Sequence, residues 1–279
     1  MKVRTVLPPI ALMAAITLAG AETPPLKSVA EIQAFRKANI GRIQSVNPVG
    51  EKEWGVKEPL PPLPEISAKI LYRDDFADLK NWFHEGIGFL STPEPGIMQI
   101  NCLGSKQGAE GCMAFCRTDF PDDIAIEYEM KALSTRGLLI TFIGAQGRRG
   151  EDIITGLPPR RGVFADYINS EHLRCYHLSV SRYDDDGKHT GTSNFRRNPG
   201  FFLMAGQEDL CKEPQTWYKI VIFKQGGKIN LTVNGVRAGG FTDPGVIPEP
   251  IPAGGKVGFR AIGSDVLIQI RNFKVSLLK

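Results

Sequence analysis

The sequence has little excess charge of either sign. Its 279 residues include 34 lysines and arginines against 30 aspartates and glutamates, and the basic residues do not form runs. Proteins that bind nucleic acid usually carry a concentrated basic patch. We therefore do not expect nucleic acid as a partner.

Long apolar segments are missing beyond the N-terminus. The apolar run from Val6 to Leu18 is interrupted by Pro8-Pro9 and is too short to span a bilayer. No later segment is apolar enough to do so. The sequence therefore predicts no membrane span.

Common catalytic and cofactor motifs are also missing. The chain has no Ser/His/Asp signature, no phosphate-binding glycine loop and no dinucleotide fingerprint. Its cysteine spacing does not match a structural zinc site. The run Asp184-Asp185-Asp186-Gly187 lacks the ligand spacing of an EF-hand and favours a hairpin turn over a calcium site. We expect neither a cofactor nor a metal.

The first residues have the order of a secretory signal peptide. Lys2 and Arg4 precede the apolar run, and Ala19-Gly20-Ala21 follows it, ahead of the acidic Glu22. Small residues in this arrangement mark a cleavage site. We predict a leader over residues 1–21, cleavage after Ala21, and a periplasmic or secreted protein.

Five cysteines follow the leader. An oxidising compartment permits disulfides, but an odd number leaves at least one thiol without a partner within the chain. Buried thiols in a β core and a single disulfide both remain open, and the pairing is not defined by the sequence. The cysteines are Cys102, Cys112, Cys116, Cys175 and Cys211.

The sequence predicts that the chain has three parts. A capping box formed by Ser28 and Glu31 predicts a short helix over residues 29–40. The proline-rich residues 48–64 predict an extended linker or a strap laid over the domain. We therefore expect a signal peptide (1–21), an N-terminal helix and linker (22–68), and a β domain (69–279).

The third part has the pattern of strands. Residues 123–131 alternate apolar and polar side chains with period two. Two runs, 217–224 and 228–234, are followed by the hairpin signal Asn234-Gly235. Strands at this spacing without helical patterns between them predict an all-β, antiparallel β-sandwich or jelly roll.

Several segments carry a resemblance to known families. The opening of the β domain, residues 71–76 with Trp82, and its last strands resemble concanavalin A-like domains of carbohydrate-active bacterial proteins. The last strands also resemble, more distantly, the 3-keto-disaccharide hydrolase domains. The central segments are the most specific, and they resemble the YesU-like family, whose chemistry is unassigned. They are Gly150-Glu151-Asp152-Ile153, Gly162-Val163-Phe164, Tyr167, Tyr176-His177-Leu178-Ser179, Arg182 and residues 194–201. The resemblance implies a concanavalin A-like jelly roll and a carbohydrate ligand.

The segment 175–183 contains a candidate catalytic histidine. Leu178 and Val180 fall on one face of the predicted strand, and His177 and Ser179 fall on the other. In concanavalin A-like folds the polar face of the concave sheet receives the sugar chain. An imidazole with a pKa of about 6.5 can act as a base near neutral pH. The alternative is a hydrogen-bonded structural histidine.

A second candidate is a cluster of guanidinium and amide groups. Guanidinium groups bind carboxylates through two parallel hydrogen bonds, so the cluster suits a sugar that carries a uronic acid. The alternative is a solvated loop whose arginines bind the backbone. The residues are Arg182, Asn194, Arg196, Arg197 and Asn198.

These groups together suit β-elimination. The reaction needs a neutralised uronate carboxylate and a base that takes the C5 proton. Arg196 or Arg197 would supply the first, and Tyr176 or His177 the second.

Two carboxylate pairs are candidates for hydrolysis instead. Glycosidases use two carboxyl groups about 5–10 Å apart. Glu127 and Glu129 share one strand face, and Glu151 adjoins Asp152 in a loop. The resemblance includes Glu151 and Asp152, which makes them the preferred pair. Glu127 and Glu129 also suit an ordinary solvated strand face.

Two aromatic residues are candidate sugar contacts. Tyr167 belongs to the residues that carry the resemblance, and Trp82 lies beside a glycine-rich stretch. Aromatic rings offer a face to the apolar side of a sugar. A tryptophan just after the first strand also suits the core.

The sequence thus predicts an exported carbohydrate-active protein. The leading hypothesis is cleavage of a polysaccharide or oligosaccharide, such as a pectic or other uronate-containing one, by hydrolysis or β-elimination. The alternatives are a carbohydrate-binding module without catalysis and a structural protein of the cell envelope. Nothing in the sequence addresses the oligomeric state.

Overall fold

The computed structural model describes residues 26–104 and 110–279, so the predicted leader lies outside the described residues. The helices are α1 (Val29–Asn39), a 3-10 turn (Ile40–Arg42) and α2 (Ala165–Ile168). The strands are β1 (Ile66–Asp74), β2 (Trp82–Gly86), β3 (Gly88–Ser91), β4 (Ile97–Cys102), β5 (Gly111–Phe120), β6 (Ile124–Ala132), β7 (Gly137–Gly147), β8 (Leu173–Tyr183), β9 (Thr192–Asn198), β10 (Phe202–Glu208), β11 (Tyr218–Gln225), β12 (Lys228–Val233), β13 (Val236–Thr242), β14 (Gly255–Ile262) and β15 (Val266–Leu278).

The N-terminal helix begins where the capping box predicts. The Ser28 hydroxyl accepts a hydrogen bond from the backbone N–H of Glu31 (3.2 Å), and the Glu31 carboxylate accepts one from the backbone N–H of Ser28 (2.8 Å). Two otherwise unpaired donors of the first turn are thereby satisfied. The predicted helix over 29–40 is confirmed, with its α-helical part over Val29–Asn39.

The strands form two antiparallel sheets packed face to face. In one, called here the front sheet, the strand order is β10-β9-β8-β7-β14-β5-β2. In the other, the back sheet, the order is β13-β12-β11-β6-β15-β4-β3, and β1 pairs with β15. The predicted all-β sandwich with a jelly-roll fold is confirmed.

Alternation along the strands builds the core between the sheets. On β6 the side chains of Ile124, Ile126, Tyr128 and Met130 are buried in the core, whereas Glu129 faces outward. The period-two pattern in the sequence therefore reflects one face of a strand buried against the opposite sheet.

A second apolar cluster lies on the outer side of the front sheet. Phe115 and Phe142 of the sheet pack there with Ile153 and Tyr167, which belong to the segment between β7 and β8. This segment therefore covers part of the outer face. The adjoining part, where β8 and β9 run, lines a pocket.

A segment before the first strand joins the two sheets. We call residues 45–64 the strap. The backbone N–H groups of Trp54 and Gly55 donate to carbonyls of β10 (2.8 and 3.0 Å), and Val56 exchanges two backbone hydrogen bonds with Thr242 at the end of β13 (2.9 and 2.8 Å). The strap thus pairs with an edge strand of each sheet, which agrees with the predicted strap.

The five cysteines are all buried, and none is in a disulfide. This arrangement is the buried-thiol alternative left open by the sequence. None of the helices within the described residues is both long and apolar enough to cross a membrane.

Candidate functional site

A pocket of about 220 Å³ opens on the outer face of the front sheet. We call it the front pocket. Its polar lining consists of His177, Ser179, Arg182, Asn194 and Arg196. Its apolar lining consists of Leu138, Ile140, Phe164, Phe201 and Ile262.

The alternation of β8 places His177 and Ser179 in the pocket. Their neighbours Tyr176 and Leu178 are fully buried in the core between the sheets. Adjacent residues of a strand point to opposite faces. Tyr176 and His177 therefore cannot act on the same ligand from this strand.

A β-bulge brings Arg182 to the same face. The register between β7 and β8 shifts by one residue between the pairs Leu139–Val180 and Gly137–Tyr183, and Ser181 has a left-handed φ of 52°. An extra residue in one strand changes which of the following side chains point to each face of the sheet. Arg182 consequently lines the pocket with Ser179, although it lies three residues further along the chain.

Strand β9 supplies the other polar groups. Asn194 pairs with Ser179, and Arg196 pairs with His177 in the β8–β9 ladder. Both line the pocket, whereas the intervening Phe195 belongs to the core between the sheets.

The two pocket arginines have different partners. Arg196 forms a bidentate ion pair with Glu51 of the strap (2.8 and 2.7 Å) and lies 3.9 Å from the ring centre of Phe201. Arg182 donates to the carbonyl and hydroxyl oxygens of Thr192 (both 2.8 Å). Within the described part of the chain, no carboxylate forms an ion pair with Arg182. Its charge is thus available to a ligand.

His177 is a neutral hydrogen-bonding group. Burial, together with the charges of Arg196 and Arg260, lowers the pKa of His177 to about 3. The amide nitrogen of Asn198 lies 2.8 Å from Nδ1 and can only donate, so the ring proton resides on Nε2. His177 therefore offers an N–H donor at neutral pH.

Seven of the predicted site residues do not line this pocket: Tyr167, Tyr176, Arg197, Asn198, Glu151, Asp152 and Trp82. The Tyr176 hydroxyl donates to Asp243 (2.5 Å), and the fully buried Arg197 forms an ion pair with the same carboxylate (2.7 Å). Burial raises the pKa of Tyr176 well above its ordinary value. The hydroxyl of Tyr167 donates to the buried Glu85 (2.9 Å). These three side chains, of Tyr176, Arg197 and Tyr167, are buried and hydrogen-bonded inside the protein.

The loop carboxylates stabilise their own loop. Glu151 accepts a hydrogen bond from the backbone N–H of Arg149 (2.9 Å), and Asp152 forms an ion pair with Lys256 (2.8 Å). Burial opposes ionisation of Asp152, but the hydrogen bond from Lys256, those from the backbone N–H groups of Thr155 and Ile154, and the charge of Lys256 together lower its pKa to about 2. Neither carboxylate lines the front pocket.

Trp82 lies in the core. Its ring stacks on Phe259 with a centroid distance of 5.6 Å, and its indole N–H donates to Asp74 (2.9 Å). Only 4% of the residue is exposed. A sugar has no access to either face of the ring, which corresponds to the core alternative.

The second carboxylate pair lies on the back sheet, in a separate cleft of about 490 Å³. Glu127 forms an ion pair with Lys274 (2.8 Å), and Glu129 forms one with Arg271 (2.6 Å). Both carboxylates are therefore charge-compensated, and Glu127 is buried whereas Glu129 is half-buried.

The front pocket combines a cation, neutral hydrogen-bonding groups and an aromatic wall. Phe164 and Phe201 pack edge to face at 5.1 Å and form that wall. No carboxylate occurs among the described residues that line the pocket. The part of the chain that the structure describes also contains no group of three or more histidine, cysteine or acidic side chains suited to a metal ion.

The apolar lining of the front pocket was not predicted from the sequence. Phe164 and Phe201 stood within the segments that carry the resemblance, but nothing in their own neighbourhood marked them as ligand contacts. Ile140 could have been found from alternation, since it pairs with Ser179 across β7 and β8.

Comparisons with known proteins agree with this fold. The uncharacterized protein YesU of Bacillus subtilis (strain 168) is 29% identical over 199 residues, which cover 68% of this chain and 88% of that protein. A crystal structure of a protein of unknown function with a galectin-like fold, from Bacillus subtilis, matches with a TM-score of 0.70 at 26% identity over 77% of this chain and 99% of that chain.

A more distant structure shares only the fold. The exoplasmic/lumenal domain of VIP36, in its form bound to Ca2+ and Man3GlcNAc, matches with a TM-score of 0.50 at 12% identity, over 77% of this chain and 91% of that chain.

The family described as a domain of unknown function, DUF1961, matches residues 69–275, and the expected YesU-like resemblance is confirmed. The chain therefore belongs to the DUF1961 family.

Proposed function

We propose that the protein binds a carbohydrate and that the front pocket receives one acidic sugar residue of it. The observation that carries this proposal is the guanidinium of Arg182, which lines the pocket with no ion-pair partner among the described residues. The carboxylate of Asp209 accepts a hydrogen bond from the backbone N–H of Arg182 (3.1 Å) and attracts its charge without forming an ion pair with the guanidinium. A half-buried guanidinium without an ion-pair partner favours an anionic group of the ligand. A uronate carboxylate supplies such a group.

The remaining lining suits a sugar ring. Sugars present apolar C–H faces and a rim of hydroxyl groups. The wall formed by Phe164 and Phe201 can pack against the face, while His177, Ser179 and Asn194 can hydrogen-bond to the rim. A pocket of about 220 Å³ suits a single ring rather than several. The VIP36 domain of the same fold, solved with Man3GlcNAc, supports a sugar ligand by analogy.

Binding is favoured over cleavage by the chemistry of this pocket. Hydrolysis requires a pair of carboxyl groups, and the described lining residues include none. Elimination requires a base with a pKa near the working pH, and the pKa of His177 is about 3. We therefore propose the carbohydrate-binding alternative in place of hydrolysis or β-elimination.

The compartment is part of the proposal. The order of residues 2–22 favours export, so the ligand would be met in the periplasm or outside the cell.

Calorimetric titration tests the proposal. Galacturonic acid oligomers should bind, and their neutral methyl esters should bind at least tenfold more weakly. Arg182→Gln should weaken binding of the acidic oligomers by about 10- to 100-fold, because a hydrogen bond to a charged group contributes about 1.5–3 kcal/mol. The exposed Arg136, changed to Gln, is the matched control and should bind like the wild type.

Two outcomes would contradict the proposal. Equal affinity for the acid and the ester would remove the role of the carboxylate. Unsaturated products or new reducing ends, followed in the same mixtures, would show cleavage rather than binding alone.

A further inference from the structure

The strap contains a tight turn that presents Glu51. The backbone N–H of Asn47 donates to the Glu51 carbonyl (2.9 Å), and the Asn47 side-chain oxygen accepts from the backbone N–H of Glu51 (2.7 Å). Gly50 donates to the Asn47 carbonyl (2.9 Å). The position of Glu51 is thereby fixed by the backbone around it.

The turn is docked closely on the front sheet. The buried carboxylate of Glu53 accepts hydrogen bonds from the backbone N–H of Gly206 (2.7 Å) and from the Ser45 hydroxyl (2.7 Å). A Cβ atom at Gly206 would lie only 2.6 Å from the Cβ of Asn47. The turn thus rests directly on the backbone of β10.

From this position Glu51, which lies outside the two sheets, contacts the pocket residue Arg196. Its carboxylate binds both terminal nitrogens of Arg196, and one of these nitrogens also donates to the Phe201 carbonyl (3.3 Å). The family match begins at residue 69, so the strap lies outside the family domain. The charge of a pocket residue is therefore compensated by a residue outside the matched family domain.

We infer that Glu51 is a specificity-determining residue of the front pocket, an inference that rests on the proposed function. Glu51 neutralises Arg196 and leaves Arg182 as the cation offered to the ligand. A sugar with one anionic group meets one available guanidinium. A second anionic group on the same ring would have to displace Glu51 or approach its negative charge.

The test compares three ligands that differ in charge: methyl galacturonoside, its neutral methyl ester, and its 2-O-sulfate, which carries two anionic groups. The wild-type protein should bind the singly charged ligand best. Glu51→Gln frees the charge of Arg196 at nearly constant shape, so binding of the sulfated ligand should strengthen by about tenfold relative to the unsulfated uronoside.

Glu58→Gln is the matched control, because it removes the same charge from an exposed position on the strap. It should leave the wild-type order of affinities. Thermal unfolding of each variant establishes that the strap stays folded.

The outcomes separate this inference from the proposed function. An unchanged ratio of affinities in Glu51→Gln, with the wild type still preferring the uronoside to its ester, contradicts the role of Glu51 alone. Equal binding of the uronoside and its ester by the wild-type protein contradicts the proposed function and therefore also the role of Glu51.

Discussion

His177 illustrates how the surroundings of one residue determine its chemistry. The same side chain that would be a base in water lies here 98% buried, between Phe142 and Phe201 and close to two arginines. A positive charge on the imidazole, in addition to those of the two arginines, would be neither solvated nor compensated. The imidazole consequently serves as a neutral hydrogen-bonding group.

The lowered pKa of His177 predicts a loss of stability in mild acid. Because the pKa is about 3 in the folded protein and about 6.5 in the unfolded chain, only the unfolded chain takes up this proton between those values. The contribution of the neutral His177 to the free energy of unfolding is therefore complete above pH 6.5 and is lost as the pH falls toward 3. Between pH 7 and pH 5 the free energy of unfolding should fall by about 2 kcal/mol less in His177→Gln than in the wild type.

Urea unfolding at the two pH values measures this difference. His172→Gln, a change at an exposed histidine, should retain the wild-type dependence on pH. The same pH dependence in His177→Gln and in the wild type would show that His177 is not held neutral.

Alternation accounts for what the sequence could and could not predict about single residues. Alternation places His177 and Tyr176 on opposite faces of their strand, and it does the same for Arg196 and Arg197, since each pair consists of neighbours on one strand. It does not predict that Asp243, far away in sequence, accepts hydrogen bonds from both Tyr176 and Arg197. Such partners are brought together only by the packing of the two sheets.

At the scale of the elements, one irregular residue determines which side chains share the pocket. The bulge at Ser181 brings Arg182 to the face of His177 and Ser179. A regular β8 would have directed Arg182 into the core between the sheets. No turn residue marks Ser181 in the sequence, so the bulge could not be predicted locally.

The backbone at Ser181 predicts the effect of two substitutions. Ser181→Val places a β-branched side chain at a left-handed φ and should lower the free energy of unfolding by about 1–3 kcal/mol. It should also weaken binding of acidic oligomers, since Arg182 loses its position. Ser181→Gly accepts the same φ and should remain close to the wild type in urea unfolding and in titration. Equal stability of the Val and Gly variants would contradict the role assigned to the bulge.

At the scale of the whole molecule, the strap closes one side of the sandwich. It hydrogen-bonds to β10 of the front sheet and to the end of β13 of the back sheet, whose free edges would otherwise be open to other chains. Trp54 anchors it, with its ring 4.9 Å from Phe202 and 5.8 Å from Phe35 of α1. The proline content of 48–64 predicted an extended segment but not its two pairing partners.

Removal of the Trp54 anchor should therefore affect the entire fold. Trp54→Ala should lower the free energy of unfolding by about 3–5 kcal/mol, the usual cost of truncating a buried tryptophan. Trp217→Ala, at a partly exposed ring flanked by Lys131 and Arg271, should cost about 1 kcal/mol. Urea unfolding compares the two variants, and a smaller loss in Trp54→Ala than in Trp217→Ala would contradict the anchoring role.

A crystal structure with a galacturonic acid oligomer would show whether the front pocket binds an acidic sugar through Arg182. In that structure a carboxylate oxygen should lie about 2.7–3.2 Å from the guanidinium of Arg182, with a sugar ring against Phe201. A sugar bound instead in the cleft of the back sheet beside Glu127 and Glu129, with the front pocket empty, would contradict this prediction.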